Sequence, residues 1–91
     1  MTDEGIRPEC LATAASGQWE QPTGEEIKTV LRLAGLTGAQ AAKYLGLGNG
    51  GDRTVRRWTG GEVSITYAAW ALLCHRAGLG EIWVSSAEDR E

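Results

Sequence analysis

Arginine is concentrated in one short stretch of this 91-residue sequence. The segment NGGDRTVRRW, residues 49–58, places Arg53, Arg56 and Arg57 within five residues, after a glycine-rich turn and before Trp58. An arginine side chain can donate two parallel hydrogen bonds to the O6 and N7 atoms of guanine, and it also binds phosphate. The segment therefore points to nucleic acid as a ligand, with a merely solvated helix face as the alternative.

Patterns typical of catalysis or metal binding are not found. Cys74 and His75 are adjacent, and neighbours on a helix do not face each other as a nucleophile and its base must. Cys10 and Cys74 lack CxxC or histidine-rich spacing, so we expect buried apolar cysteines and no zinc site. The glycine-rich residues 46–51 lack the ending of a phosphate-binding loop. We therefore expect no enzyme, no cofactor and no metal.

Charge is unevenly distributed along the chain. The net charge is −3, from 9 Lys and Arg against 12 Asp and Glu, yet residues 27–60 hold six basic side chains and one acidic one. The middle third is therefore locally basic, which favours a specific face for an anionic partner. No apolar run approaches the roughly 20 residues of a membrane span, and no signal peptide is evident. These features predict a cytoplasmic protein that does not associate with membranes.

Capping signals predict an all-α fold of four to five short helices. A threonine followed three residues later by Glu or Gln can satisfy backbone N–H groups at a helix start, and a glycine in the left-handed region ends a helix. The capping pairs are Thr23 with Glu26 and Thr37 with Gln40, and the stops are Gly35 and Gly46.

Two further helices follow the glycine-rich turn. One is predicted over residues 53–59, capped by Asp52, with Val55 and Trp58 three residues apart on its buried face. The next is predicted over residues 67–76, and because it is apolar around much of its circumference it should be the most buried helix.

Two short helices joined by a turn, with arginines on the outer face of the second, are the parts of a helix-turn-helix motif. The segments LTGAQAAKYLG, RTVRRW, GGE and ITYAAWALL resemble that motif in small phage and plasmid repressors of the Cro/CI-like class. The flanking IRPECL and AGLGEIW are similar to plasmid repressors of the KorC type. The resemblance covers residues 23–79 and implies a repressor that binds a double-stranded DNA operator.

The motif assigns roles to individual residues. Arg53, Arg56 and Arg57 would contact bases, with Asp52 as a further candidate. The candidate phosphate contacts are Thr37, Lys43 and Thr54. One feature departs from the family pattern, because nine positions lead from Gly46 to Val55, about three more than the motif has. Either the turn bulges outward, or the third helix begins earlier than residue 53.

The chain divides into three parts. Residues 1–22 form an N-terminal arm with a short helix from Pro8 to Ala15, residues 23–85 form the helix-turn-helix domain, and residues 86–91 form a flexible tail. Ile82, Trp83 and Val84 are expected to form the dimer interface, although they could instead complete the monomer core.

The resulting prediction is a sequence-specific repressor that binds a palindromic operator as a homodimer, with a partner repressor as a further candidate. The alternative is a protein-binding module that reuses the fold, such as an anti-defence protein, an antitoxin or a polymerase-binding adaptor.

Overall fold

The protein is built from short helices, as predicted. The computed structural model describes residues 6–83. Its elements are two 3₁₀ turns, Pro8–Leu11 and Ala14–Ser16, and the helices α1 (Gly24–Ala34), α2 (Gly38–Leu45), α3 (Gly51–Thr59) and α4 (Tyr67–Arg76). No β-strand occurs among these described residues, and none of their helices is long and apolar enough to cross a membrane.

Both predicted capping boxes are present. The Thr23 N–H donates to the Glu26 carboxylate at 2.7 Å, and the Glu26 N–H donates to the Thr23 hydroxyl at 3.2 Å. Thr37 and Gln40 exchange the same pair of hydrogen bonds at 2.9 and 3.1 Å. The glycines that follow α1 and α2 both have positive φ angles. The ends of α1 and α2 therefore follow from local sequence signals.

The N-terminal arm corrects one prediction. The single helix expected over residues 8–15 is instead two 3₁₀ turns separated by extended residues. The carbonyl of Cys10 accepts hydrogen bonds from the indole N–H groups of Trp19 at 3.0 Å and Trp70 at 2.7 Å. These long-range donors satisfy a carbonyl that would otherwise bond within an α-helix, and they dock the arm on α4.

The start of α3 corrects a second prediction. The helix begins at Gly51 rather than Arg53, and its cap is Gly50, with φ of 80° and no side-chain hydrogen bond. Asp52 lies inside the first turn instead of capping it. A Cβ atom at Gly51 would lie 2.7 Å from Leu47 Cβ and 2.9 Å from Ala42 Cβ. The extra residues are therefore accommodated by an earlier helix start that is pressed against α2.

The core lies where α1 packs against α3 and α4, and α2 packs against α3 and α4. Val55 and Trp58 are 1% and 5% exposed, and Trp70 is fully buried, which confirms their predicted inward positions. Both cysteines are free and buried, as expected. Helix α4 was expected to be the most buried helix, but it buries four residues, as many as α1, and Leu72 is 41% exposed, so one apolar side of α4 stays open.

The chain turns back on the core after α4. Ile82 is buried, and its carbonyl accepts hydrogen bonds from the Thr13 hydroxyl at 3.2 Å and the Tyr67 hydroxyl at 3.3 Å. Trp83 is 40% exposed, and its ring centroid lies 5.8 Å from that of His75. Val84 and the predicted tail, residues 86–91, lie outside the described residues. Ile82 is therefore part of the monomer core, whereas Trp83 lies at the surface.

Candidate nucleic-acid interface

Both ends of helix α3 pack closely against neighbouring parts of the chain, at positions where one partner is a glycine. Its first residue, Gly51, meets α2, and its last residue, Thr59, meets the start of α1. A Cβ atom at Gly24 would overlap the Thr59 carbonyl group, so only glycine permits this approach of α1 to α3. Val55 and Trp58 bury the inner face between these two points. The opposite face of α3 is therefore presented in a fixed orientation.

That outer face carries the arginine cluster. Arg53, Arg56 and Arg57 occupy positions i, i+3 and i+4 of α3, which places them side by side on one face. All three are exposed, and the side chains of Arg56 and Arg57 are 67% and 57% accessible. The structure thus brings together three guanidinium groups on a rigid, solvent-facing surface.

Two of the three arginines have acidic neighbours. Arg56 Nη1 lies 3.3 Å from Asp52 Oδ2, one turn earlier in the helix, and Arg57 Nε lies 3.9 Å from Glu62 Oε1. Among the described residues, Arg53 has no such partner. Exposed pairs of this kind contribute about 0.2–1 kcal/mol, so they orient the side chains without withdrawing them from solvent. The guanidinium groups therefore remain open to a ligand.

The candidate phosphate contacts are spread along α2 and the start of α3. Lys43 is exposed and lines, with Asp52, a cleft of about 530 Å³ between α2 and α3. Thr37 lies at the other end of α2, about 9 Å away along the helix axis. The Thr54 hydroxyl donates to the Gly50 carbonyl at 3.5 Å. The structure thus places Lys43 beside the start of α3, and it places Thr37 at the other end of α2, next to Gly38, where a Cβ atom would lie 3.7 Å from Val55 of α3.

An ion pair between the half-exposed Arg7 and the buried Glu26 supports the start of α1, which in turn contacts α3. Glu26 is 4% exposed and accepts hydrogen bonds from the Arg7 backbone N–H at 3.0 Å and from Arg7 Nε at 2.9 Å. Burial alone would raise the pKa of Glu26, but the hydrogen bonds from Arg7 and Thr23 outweigh it and lower the pKa to about 2. The carboxylate is therefore ionised at neutral pH.

Neither cysteine thiol is expected to act as a nucleophile. Burial raises the pKa of Cys10 to about 11 and that of Cys74 to about 12, so neither is a thiolate at neutral pH. Within residues 6–83, no cluster of three or more His, Cys, Asp or Glu side chains could hold a metal ion.

Comparison with known proteins decides the family. Two curated proteins of Escherichia coli, both named transcriptional repressor protein KorC, are 64% and 63% identical to this chain. The alignments span 81 and 83 residues, which is 89% and 91% of this chain and 93% and 95% of the relatives. This chain belongs to the KorC family of transcriptional repressors. No protein-family model matches it, and no solved structure matches it significantly.

This membership confirms the resemblance to KorC-type repressors that the segments IRPECL and AGLGEIW indicated. Sequence reasoning also located the arginine face of this KorC-family chain, because helical spacing alone places the three side chains together. It missed Glu62 as a neighbour of Arg57. The available signal was Gly60-Gly61, a pair that allows the chain to fold back directly after α3.

Proposed function

We propose that this protein is a sequence-specific DNA-binding repressor that acts as a homodimer on a palindromic operator. One observation carries the proposal: α3 is buried on one side and presents three exposed arginines on the other. The curated relatives, which are named transcriptional repressors, support regulation as the purpose of that face.

The proposed mechanism places α3 in the major groove of duplex DNA. Arg53, Arg56 and Arg57 would donate to guanine O6 and N7, each good contact giving about 1–3 kcal/mol of discrimination, and Asp52 would accept from cytosine N4. Phosphate contacts from Thr37, Lys43 and Thr54 would fix the register of the motif on the backbone. A repressor bound in this way excludes polymerase from an overlapping promoter.

The proposed dimer uses the open side of α4. Tyr67, Ala68, Ala71, Leu72 and Trp83 line an apolar groove of about 340 Å³. Leu72 and Trp83 are two of the large apolar side chains that the described chain exposes. A two-fold axis through this groove would pair each surface with its own copy, as an isologous interface requires. Ile82 then supports the interface from within the core, and the predicted role of Val84 stays a prediction.

The function is tested by selection from a randomised library of duplex DNA with the wild-type protein. We expect enrichment of an inverted repeat whose half-sites lie about one helical turn, roughly 34 Å, apart, because a two-fold dimer presents two copies of α3. Failure to enrich any duplex would contradict DNA binding. The arginine face would then be assigned to a protein partner, the alternative function, with acidic side chains as its ligands.

Replacing Trp83 by alanine tests the dimer. A buried interface tryptophan typically contributes 2 kcal/mol or more, so Trp83→Ala should weaken dimerisation by about thirtyfold or more. Light scattering across a dilution series should show the variant shifting to monomer at concentrations where the wild type is dimeric. Val63→Ala is the matched control, because Val63 is equally exposed at 43% but lies outside the groove. An unchanged dimer in Trp83→Ala would place the interface elsewhere.

A further inference from the structure

The segment that follows α3 folds back onto the arginine face. Gly61 adopts a φ of 79°, and the backbone N–H groups of Glu62 and Val63 both donate to the Arg57 carbonyl, at 2.9 and 3.4 Å. These hydrogen bonds hold the Glu62 backbone beside Arg57, and the Glu62 carboxylate then lies 3.9 Å from Arg57 Nε. The main chain therefore fixes the Glu62 backbone next to Arg57, and the carboxylate, on a side chain that is 70% exposed, lies within ion-pair distance.

The contact falls on a particular edge of the Arg57 guanidinium group. Nε lies 3.9 Å from the Glu62 carboxylate, and no hydrogen bond within residues 6–83 involves Arg57 Nη1 or Nη2. Those two nitrogens form the terminal edge of the planar fork, which is suited to two parallel hydrogen bonds. Arg56 differs, because its contact with Asp52 uses Nη1. Arg57 therefore has an acidic neighbour, and its terminal Nη1 and Nη2 atoms make no hydrogen bond within the described residues.

We propose that Glu62 is a positioning residue that sets specificity for the base contacted by Arg57. The inference rests on the proposed DNA-binding function. Glu62 orients the guanidinium group through Nε, which leaves the Nη1 and Nη2 edge for guanine O6 and N7. Its negative charge also repels a phosphate that approaches Arg57, whereas the edge of a guanine base carries no net charge. Glu62 therefore weakens non-specific binding more than operator binding.

Glu62→Gln separates this role from that of a solvated surface acid. The full-length variant is titrated with two probes, the duplex enriched from the randomised library by the wild-type protein and a random duplex of equal length. We expect about threefold to tenfold tighter binding of the random duplex and an equal fall in the operator-to-random ratio. Release of Arg57 to phosphate should also steepen the salt dependence on random DNA by about 0.9 in log–log slope for each protomer bound.

Two controls make the result specific to Glu62 and Arg57. Glu9→Gln makes the same change in net charge on the exposed N-terminal arm, and we expect its ratio to match that of the wild type. In an Arg57→Ala background, Glu62→Gln should change the ratio less than about twofold, because coupling is lost when one partner is removed.

The inference is overturned if Glu62→Gln keeps the wild-type ratio, if Glu9→Gln lowers the ratio as much, or if the effect of Glu62→Gln persists without Arg57. If the wild-type protein shows no preference for any duplex, the proposed DNA-binding function itself has failed. In that case the inference falls with it, whereas the first three results leave the proposed function intact.

Discussion

Replacing Glu26 by glutamine is expected to lower the free energy of unfolding by about 2–3 kcal/mol at pH 7. The wild-type carboxylate is buried and accepts hydrogen bonds from the Arg7 backbone, the Arg7 side chain and the Thr23 backbone. A neutral amide cannot neutralise the Arg7 guanidinium group, and its NH₂ group faces donors instead of acceptors. The variant should therefore loosen the attachment of the N-terminal arm to α1.

The same pair makes stability depend on pH in a defined direction. The pKa of Glu26 is lowered to about 2 in the folded protein, from 4.5 as the ordinary value. A group whose pKa is depressed by folding stabilises the native state above its unfolded pKa, and that contribution is lost as pH falls through the folded pKa. The stabilisation by Glu26 is therefore complete above about pH 5 and declines towards pH 2.

Urea unfolding at pH 7 and at pH 3 measures this difference. The gap in unfolding free energy between wild type and Glu26→Gln should be smaller at pH 3. Glu20→Gln is the matched control, because Glu20 pairs with the same Arg7 at 3.3 Å but is 57% exposed, so we expect a loss below about 0.5 kcal/mol. A Glu26→Gln variant as stable as the wild type at pH 7, or a gap that does not vary with pH, would contradict this account.

Features that depend on neighbouring residues were predictable from the sequence. Thr23 and Thr37 cap helices through side chains only three residues away, and the glycines after α1 and α2 act through their own φ angles. The inward positions of Val55 and Trp58 followed from helical periodicity. The arginine face followed from the same periodicity, because the side chains opposite a buried pair must point outward.

Features that depend on distant residues were not predictable. Helix α3 starts where Gly51 packs against Leu47 and Ala42. The preference of Asp52 for a capping position gives no information about this packing. The N-terminal arm begins its first 3₁₀ turn at Pro8, where a helix start was predicted, but it forms two such turns, and the Cys10 carbonyl accepts a hydrogen bond from Trp70 of α4, 60 residues away. Glu62 reaches Arg57 only through a positive φ at Gly61 and two backbone hydrogen bonds. Tertiary contacts decide each of these cases.

Reversing two charges on α3 is expected to abolish operator binding. Arg56→Glu combined with Arg57→Glu removes two proposed base contacts, worth about 2–6 kcal/mol per protomer, which is a loss of about thirtyfold or more. The new carboxylates would also lie beside Asp52 and Glu62, so the face would repel phosphate.

The fold should survive this double reversal. Both arginine side chains are more than half exposed, and the ion pairs that they lose are surface pairs of low energy. Val55 and Trp58, which anchor α3, are unaltered. Circular dichroism should therefore show wild-type helix content, which separates loss of the binding face from loss of structure.

A charge-matched control distinguishes α3 from the protein's overall charge. Lys28→Glu with Arg76→Glu makes the same change in net charge at two exposed positions, one on α1 and one on α4. Neither Lys28 nor Arg76 is among the proposed DNA contacts. We therefore expect the control to weaken binding only modestly, through long-range repulsion that salt screens.

Gel retention of the enriched operator duplex by the wild type, the α3 double variant and the charge-matched control tests the central claim most directly. The account predicts that wild type and control retain the duplex, and that the α3 variant does not while keeping its helical circular dichroism. Retention of the duplex by a folded α3 variant at wild-type concentrations would contradict it, as would equal loss of retention in the control.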